Sequence, residues 1–118
     1  MVLSIAAGMD LQQEPIRRSV RPMRSMDATL EGYAWLPRLI DKARLARAGR
    51  LGDVVHPCPV DRRCMTLLGI DVATLHAIVD REPDDAGVLA ALRRRGIPAA
   101  QEAWFDAPAF EAELQRGR

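Results

Sequence analysis

Signals that start and stop helices recur along this chain about once per helix length, and they constrain the fold more than any other feature. The start signals are Pro37, Pro59, Asp71, Asp84, Asp106 and Pro108, and the stop signals are Gly49, Gly69 and Gly96. Aromatic residues make up only 4% of the chain, and runs of β-branched residues are scarce. The pattern therefore predicts an all-α fold rather than a sheet.

The strongest predicted helix runs from Leu36 to the stop at Gly49. Its apolar residues fall on one stripe at the 3.6-residue period, and Arg38, Asp41 and Lys42 project from the opposite side. Further helices are predicted from Pro59 or Val60 to Leu68, after Asp71, after Asp84 with an end at Arg93 to Arg95, after Pro98 and after Pro108. The expected architecture is a compact small domain of about five or six helices.

A chain of 118 residues is the size of one domain. Residues 1–30 contain prolines, a glycine and a cluster of arginines, which predicts an extended basic N-terminal arm. Residues 31–118 are expected to form a single helical domain. The arginines of the arm are Arg17, Arg18, Arg21 and Arg24.

The formal net charge of +1 argues against a dedicated nucleic-acid binder, since such proteins are usually strongly basic. No apolar run approaches the ~20 residues of a membrane-spanning helix. The sequence shows no export signal and only two cysteines, so a cytoplasmic location is expected. No cofactor is predicted, and a homodimer or a protein partner is a possible assembly.

The first candidate site is a charged group on the strongest helix: Arg38, Asp41, Lys42 and Arg44. Asp41 lies three residues from each arginine, within side-chain reach. One interpretation is a structural network of ion pairs. A second is an anion site, in which Arg38, Arg44 and Lys42 bind a carboxylate or phosphate and Asp41 orients the cations. A third is a desolvated Lys42 that acts as a base or forms an imine.

The second candidate site surrounds Cys58. Cys58 precedes a predicted helix whose dipole favours a thiolate, and His56 lies two residues away, so the two form a candidate nucleophilic pair. Asp61 would then be the nearest acid or base. The simpler interpretation is a small buried apolar residue at Cys58 and a dipole-stabilising carboxylate at Asp61. A zinc site with Cys64 and His76 is not predicted, because the paired Cys-x-x-Cys spacing is missing.

The sequence also resembles a known family. The resemblance is carried by Gly32-Tyr33, Leu36-Pro37-Arg38, Asp41-Lys42-Ala43-Arg44, Gly49, Cys58-Pro59-Val60-Asp61 and Leu68-Gly69-Ile70-Asp71. This pattern is similar to DUF5069, a bacterial family of unknown function, over residues 31–95. The resemblance implies a small, cytoplasmic, mainly helical bacterial protein, and it implies no activity.

Two functional hypotheses follow from these patterns. The first is a structural or protein-interaction module that docks a partner or a second copy through the arginine-rich arm and the aromatic residues near the C-terminus. The second is a small-molecule-binding protein or enzyme that acts on an anionic metabolite through the charged group near Cys58. Tyr33 is expected to anchor the arm and is a further candidate ligand contact.

Overall fold

The computed structural model describes residues 23–117. Its elements, in chain order, are β1 (Thr29–Leu30), β2 (Tyr33–Ala34), α1 (Leu36–Arg47), α2 (Pro59–Leu68), α3 (Val72–Arg81), α4 (Asp85–Arg94) and α5 (Ala107–Arg116). The described residues thus contain five helices and one two-stranded sheet, which confirms the predicted all-α class. Most of the predicted basic arm, including Arg17, Arg18 and Arg21, lies outside the described residues.

The helices begin where the sequence signals predict. The side chains of Asp71, Asp84 and Asp106 each accept a hydrogen bond from a backbone N–H in the first turn of α3, α4 and α5. At α2 the cap is reciprocal. The Cys58 sulfur accepts from the N–H of Asp61, while the Asp61 carboxylate accepts from the N–H of Cys58. The cap of α2 therefore already joins two of the predicted site residues.

The helix predicted after Pro98 is wrong. The segment between α4 and α5 contains a single turn, in which the N–H groups of Glu102 and Ala103 donate to the carbonyl of Ala99. Next along the chain, Ala103 and Phe105 are buried while Trp104 between them is 54% exposed. This alternation requires extended backbone, and it therefore outweighs the helix-starting preference of Pro98.

A short hairpin precedes α1 and was missed by the sequence pattern. Thr29 pairs with Ala34 and Leu30 with Tyr33 in an antiparallel register. The turn between the strands uses positive φ angles at Glu31 (48°) and Gly32 (87°). The hairpin carries the chain inward, so Tyr33 and Trp35 are 3% and 2% exposed.

Helix α1 is the centre of the core and packs mainly against α3. Its apolar stripe is buried as predicted, with Leu36, Leu39 and Ile40 fully excluded from solvent. The side of α1 that was predicted to be polar is also covered, because Asp41 and Lys42 are only 1% and 4% exposed. Asp61 at the start of α2 is likewise buried, and buried charges such as these three need partners. No helix among residues 23–117 is long and apolar enough to cross a bilayer.

Candidate functional site

Asp61 is the centre of a buried polar network on the first turn of α2. Its Oδ2 atom accepts from Lys42 Nζ at 2.8 Å, from His56 Nδ1 at 2.9 Å and from the Cys58 N–H at 3.0 Å. Its Oδ1 atom accepts from Trp35 Nε1 at 2.8 Å. The side chains of Asp61 and His56 are both fully excluded from solvent. We call these five residues together with His76 the Asp61 network.

Lys42 joins the carboxylate to the thiol. Its Nζ atom lies 3.3 Å from Cys58 Sγ as well as 2.8 Å from Asp61, and its side chain is only 5% exposed. The Cys58 sulfur also accepts from the N–H of Asp61 at 3.4 Å. Cys58 itself is half-buried, in contrast to the nearly excluded side chain of Lys42.

The network continues from His56 to a second histidine. His56 Nε2 lies 3.0 Å from Nε2 of His76, which is half-buried on α3. His56 thus bridges the Asp61 carboxylate and another imidazole through its two ring nitrogens. The described part of the protein therefore contains a continuous line of polar contacts from Cys58 through Lys42, Asp61 and His56 to His76.

The environment of Asp61 keeps its carboxyl ionised. Burial by itself would raise the pKa of Asp61, because the charged form loses its hydration. The hydrogen bonds from His56, Lys42, the Cys58 N–H and Trp35 outweigh burial and hold the pKa of Asp61 below its usual range. Cys64 contrasts with this, because burial raises the pKa of that thiol and suits it to an inert core position.

Asp41 belongs to a different network, which we call the Arg24 clamp. Asp41 accepts from Arg24 through the backbone N–H at 2.8 Å, Nε at 2.9 Å and Nη2 at 2.8 Å. The same guanidinium contacts Asp85 at the start of α4 and donates to the carbonyl of Pro37 at 3.2 Å. Asp41 therefore fixes residue 24 to α1, and Asp85 fixes the same guanidinium to α4. That Asp41 orients Arg38 and Lys42 stays a prediction.

The two remaining residues of the charged group have separate roles. Arg44 donates to the carbonyls of Val79 at 3.0 Å and Glu82 at 2.7 Å, so it caps the end of α3 instead of lining the Asp61 network. Arg38 lies one turn before Lys42 and donates to the carbonyl of Arg24 at 2.8 Å. Its Nε atom is buried without a hydrogen-bond partner among the described residues.

Two aromatic residues frame these groups. The guanidinium carbon of Arg38 lies 5.5 Å from the centroid of the Trp35 ring, and Lys42 Nζ lies 5.8 Å from it. The hydroxyl group of Tyr33 donates to the carbonyl of Pro98 at 2.6 Å, which ties the hairpin to the segment after α4. That Tyr33 anchors the N-terminal arm stays a prediction. A ligand contact at Tyr33 stays a prediction.

The structure thus brings Lys42, His56, Cys58 and Asp61 together and places Asp41 and Arg44 elsewhere. Sequence patterns did not predict a place for Trp35, His76 or Arg24 in these networks. Trp35 had one available signal, since a buried indole N–H requires an acceptor. His76 and Arg24 had none, because their partners lie on other elements. In residues 23–117, no three His, Cys, Asp or Glu side chains are arranged to hold a metal ion.

Comparison with known protein families shows to which family the chain belongs. The family model described as "Domain of unknown function (DUF5069)" matches residues 20–110. The chain belongs to the DUF5069 family. The matched range of this DUF5069 chain includes every residue of the Asp61 network and of the Arg24 clamp. A search of curated proteins finds no match.

The chemistry available at the Asp61 network follows from its members. A thiol beside an ammonium group and a helix N-terminus can react as a nucleophile. A carboxylate that is hydrogen-bonded to an imidazole can hold that ring in one orientation. Lys42 is poorly placed to form an imine, because its amine is buried and already bonded to Asp61. The thiol is therefore the group with the clearest chemical potential.

Proposed function

We propose that the Asp61 network is a reactive-thiol site that acts on a small molecule, with Cys58 as the nucleophile. The observation that carries this proposal is the position of the Lys42 ammonium group, 3.3 Å from the Cys58 sulfur and nearly excluded from solvent. A buried positive charge at this distance favours the thiolate, and the thiolate is the nucleophilic form. In this proposal the Lys42 ammonium group stabilises the negative charge on the Cys58 sulfur.

Three further features support a thiolate at Cys58. The Asp61 N–H points at the sulfur, and the dipole of α2 adds partial positive charge at its N-terminus. Lys42 contacts both negative groups, Asp61 and the sulfur, so its charge offsets the repulsion between them. Stability gives little reason to bury such an ion pair, because an apolar replacement of similar volume is often at least as stable.

We assign the substrate to the class of small anionic electrophiles, and Arg38 is the residue that supports this. Its guanidinium lies over the same indole ring as the Lys42 ammonium, and no carboxylate pairs with it among the described residues. A carboxylate or phosphate on the substrate would complete that pairing. The Cys58 thiolate then supplies the electron pair of a new S–C bond, and the leaving group departs with the pair of the broken bond.

Alkylation with iodoacetamide tests the thiol, with mass spectrometry to separate the two cysteines. At about pH 6.5 we expect Cys58 to react at least about tenfold faster than Cys64, and Lys42→Gln to remove most of that advantage. Gln keeps a hydrogen-bond donor for Asp61 but has no charge. Slow and equal labelling of both cysteines in the wild-type protein would overturn the proposal without reference to any variant.

The anionic reagent iodoacetate tests the substrate class. If Arg38 attracts an anion to the site, the ratio of the iodoacetate rate to the iodoacetamide rate at Cys58 falls about three- to tenfold in Arg38→Gln. Arg63→Gln is the matched control, because it removes the same charge from an exposed position on α2. An equal ratio in both variants would contradict an anion site at Arg38 and leave the thiol proposal intact.

A second candidate function, a protein-interaction module, is favoured by Trp104. This indole is 54% exposed, and it lines a groove together with Glu31, Gly32, Ala100 and Gln101. Exposed tryptophans are frequent anchors of protein interfaces. If Trp104 anchors a homodimer, sedimentation velocity will show concentration-dependent association of the wild-type protein, and Trp104→Ser will abolish it. A monomer at all concentrations would argue against a homodimer through this surface.

A further inference from the structure

The contact between His56 and His76 has a geometry that restricts how many protons the two rings can hold. Their Nε2 atoms are 3.0 Å apart, while the ring centroids are 5.2 Å apart and the ring planes differ by 25°. The nearly coplanar rings therefore meet through these two nitrogens rather than face to face. Only one hydrogen atom fits between two nitrogens at this distance.

The other nitrogen of His56 fixes the tautomers. Since Nδ1 faces the Asp61 carboxylate at 2.9 Å, it carries a hydrogen atom and donates it. A neutral His56 then accepts at Nε2 from His76. A cationic His56 donates at Nε2, and His76 accepts. Both arrangements use the same heavy-atom positions, so the pair can gain or lose one proton without rearrangement. A second added proton would set two N–H groups against each other.

The charges around the pair come from each element packed against it. Asp61 on α2 faces His56, with Lys42 on α1 bonded to the same carboxylate and Cys58 before α2 donating to it. His76 is influenced by Arg47 on α1 and by Asp80 on α3. Burial first, and then the positive charges on His56 and Arg47, lower the pKa of His76, while Asp80 opposes them. His76 thus resists becoming the second cation.

We infer that His56 and His76 form a one-proton pair that balances the charge of the Cys58 thiolate. This inference rests on the proposed function, because it describes how the reactivity of the thiol is regulated. The thiol of the half-buried Cys58 releases its proton to water, and the pair takes up one proton from water through His76, which leaves His56 as the cation. The total proton count is unchanged. The site then holds two pairs of opposite charges. One is the sulfur anion with the imidazolium of His56, and the other is Lys42 with Asp61.

In this scheme His76 is a positioning residue, since it acts on the sulfur only through His56. Its side chain accepts the hydrogen bond that a cationic His56 donates, and its half-buried position on α3 connects the buried ring with solvent. The pair therefore influences the thiolate while it holds the added proton, which an imidazole takes up at lower pH. Once that proton is lost, the pair has no positive charge to offer the sulfur.

The pH profile of Cys58 alkylation by iodoacetamide tests this inference, with His76→Phe as the variant. We expect the rate at about pH 6 to fall about three- to tenfold while the rate at about pH 8 stays nearly unchanged. The conservative variant His76→Gln, which can donate to or accept from His56 Nε2, should restore most of the loss. An unchanged profile in His76→Phe, with a reactive Cys58 in the wild-type protein, would overturn the coupling alone.

Nitrogen NMR of the wild-type protein decides the proton count without any variant. We expect the two imidazoles to take up one proton in total between about pH 8 and pH 5, with His76 remaining neutral. Two independent histidines that both become cationic over this range would overturn the one-proton pair. A wild-type Cys58 without enhanced reactivity would overturn the proposed function and the coupling together, and would leave the proton count as a separate result.

Discussion

Asp41 and Lys42 are neighbours on α1, yet they belong to two networks of different chemistry. The Arg24 clamp joins a guanidinium, two carboxylates and a backbone carbonyl. The Asp61 network joins an amine, a carboxylate, two imidazoles, an indole and a thiol. Both networks are centred on a carboxylate that is at most 1% exposed. They therefore differ in the groups that surround the carboxylate rather than in burial.

Under the proposed function, this difference separates a fixing role from a chemical one. A guanidinium stays charged at any pH that a folded protein tolerates, so Arg24 keeps the same charge and the same hydrogen-bond donors throughout. The Asp61 network contains groups that exchange protons or form covalent bonds near neutral pH. The comparison teaches that burial of charge alone does not identify a functional site. The proposed function adds a second criterion, the presence of groups that can change protonation state near neutral pH.

The largest expected effect is the loss of the Asp61 charge. In Asp61→Asn, an NH₂ group replaces a carboxylate oxygen that accepts hydrogen bonds from Lys42, His56 and the Cys58 N–H. Buried donors then face one another, and Lys42 loses its counter-charge. We expect the free energy of unfolding to fall by about 3–5 kcal/mol. Urea denaturation measures this change.

The matched control for this variant is Asp80→Asn. Asp80 also pairs with a cation, Arg47, but both side chains are well exposed, at 43% and 51%. Exposed pairs contribute little, so the urea midpoint should hardly move. Equal losses of unfolding free energy in the two variants would show that burial does not increase the contribution of the Asp61 carboxylate to stability.

A somewhat smaller effect is expected from Arg24→Met. The substitution removes two side-chain hydrogen bonds to Asp41 and the contact with Asp85, and we expect the free energy of unfolding to fall by about 2–4 kcal/mol. The backbone N–H of residue 24 survives the change, so its own hydrogen bond to Asp41 can persist. In the folded variant the alkylation rate of Cys58 should stay unchanged, because the clamp does not touch the sulfur. A large drop in that rate would show that the two networks act as one.

The smallest expected effect is a pH dependence of stability from His76. The pKa of His76 is lowered in the folded protein, chiefly by burial, so between its folded value and about 6.5 the unfolded chain binds more protons. The contribution of His76 is therefore complete above about pH 6.5 and is lost as the pH falls. His76→Gln should reduce the decrease in unfolding free energy between about pH 7 and pH 5. The same slope in both proteins would contradict a lowered pKa at this position.

The helices and part of the site were predictable because their determinants are local. The caps at Asp71, Asp84 and Asp106 act within one turn, and the same is true of the Cys58 and Asp61 pair at the start of α2. Lys42 was singled out with them because of its position on the strongest helix. Local rules of this kind apply before any tertiary contact forms.

The remaining part of the site depends on contacts between segments that are distant in the sequence. The sequence placed Asp41 with Arg38 because the two are three residues apart, but the observed partner is Arg24, 17 residues away. His76 lies 20 residues from His56 and meets it only because α3 packs against the region before α2. Helical periodicity identifies the residues on one face. It does not identify which element covers that face.

The most direct measurement of the central claim compares native and urea-unfolded wild-type protein. The alkylation rate of Cys58 is measured in both states at about pH 6.5, with the unfolded chain as the reference for an ordinary thiol and a free thiol compound to correct for the effect of urea. A folded site that activates sulfur through Lys42 predicts faster reaction in the native state, although native Cys58 is half-buried. Slower reaction in the native state would contradict the account and leave Cys58 as the helix cap of α2.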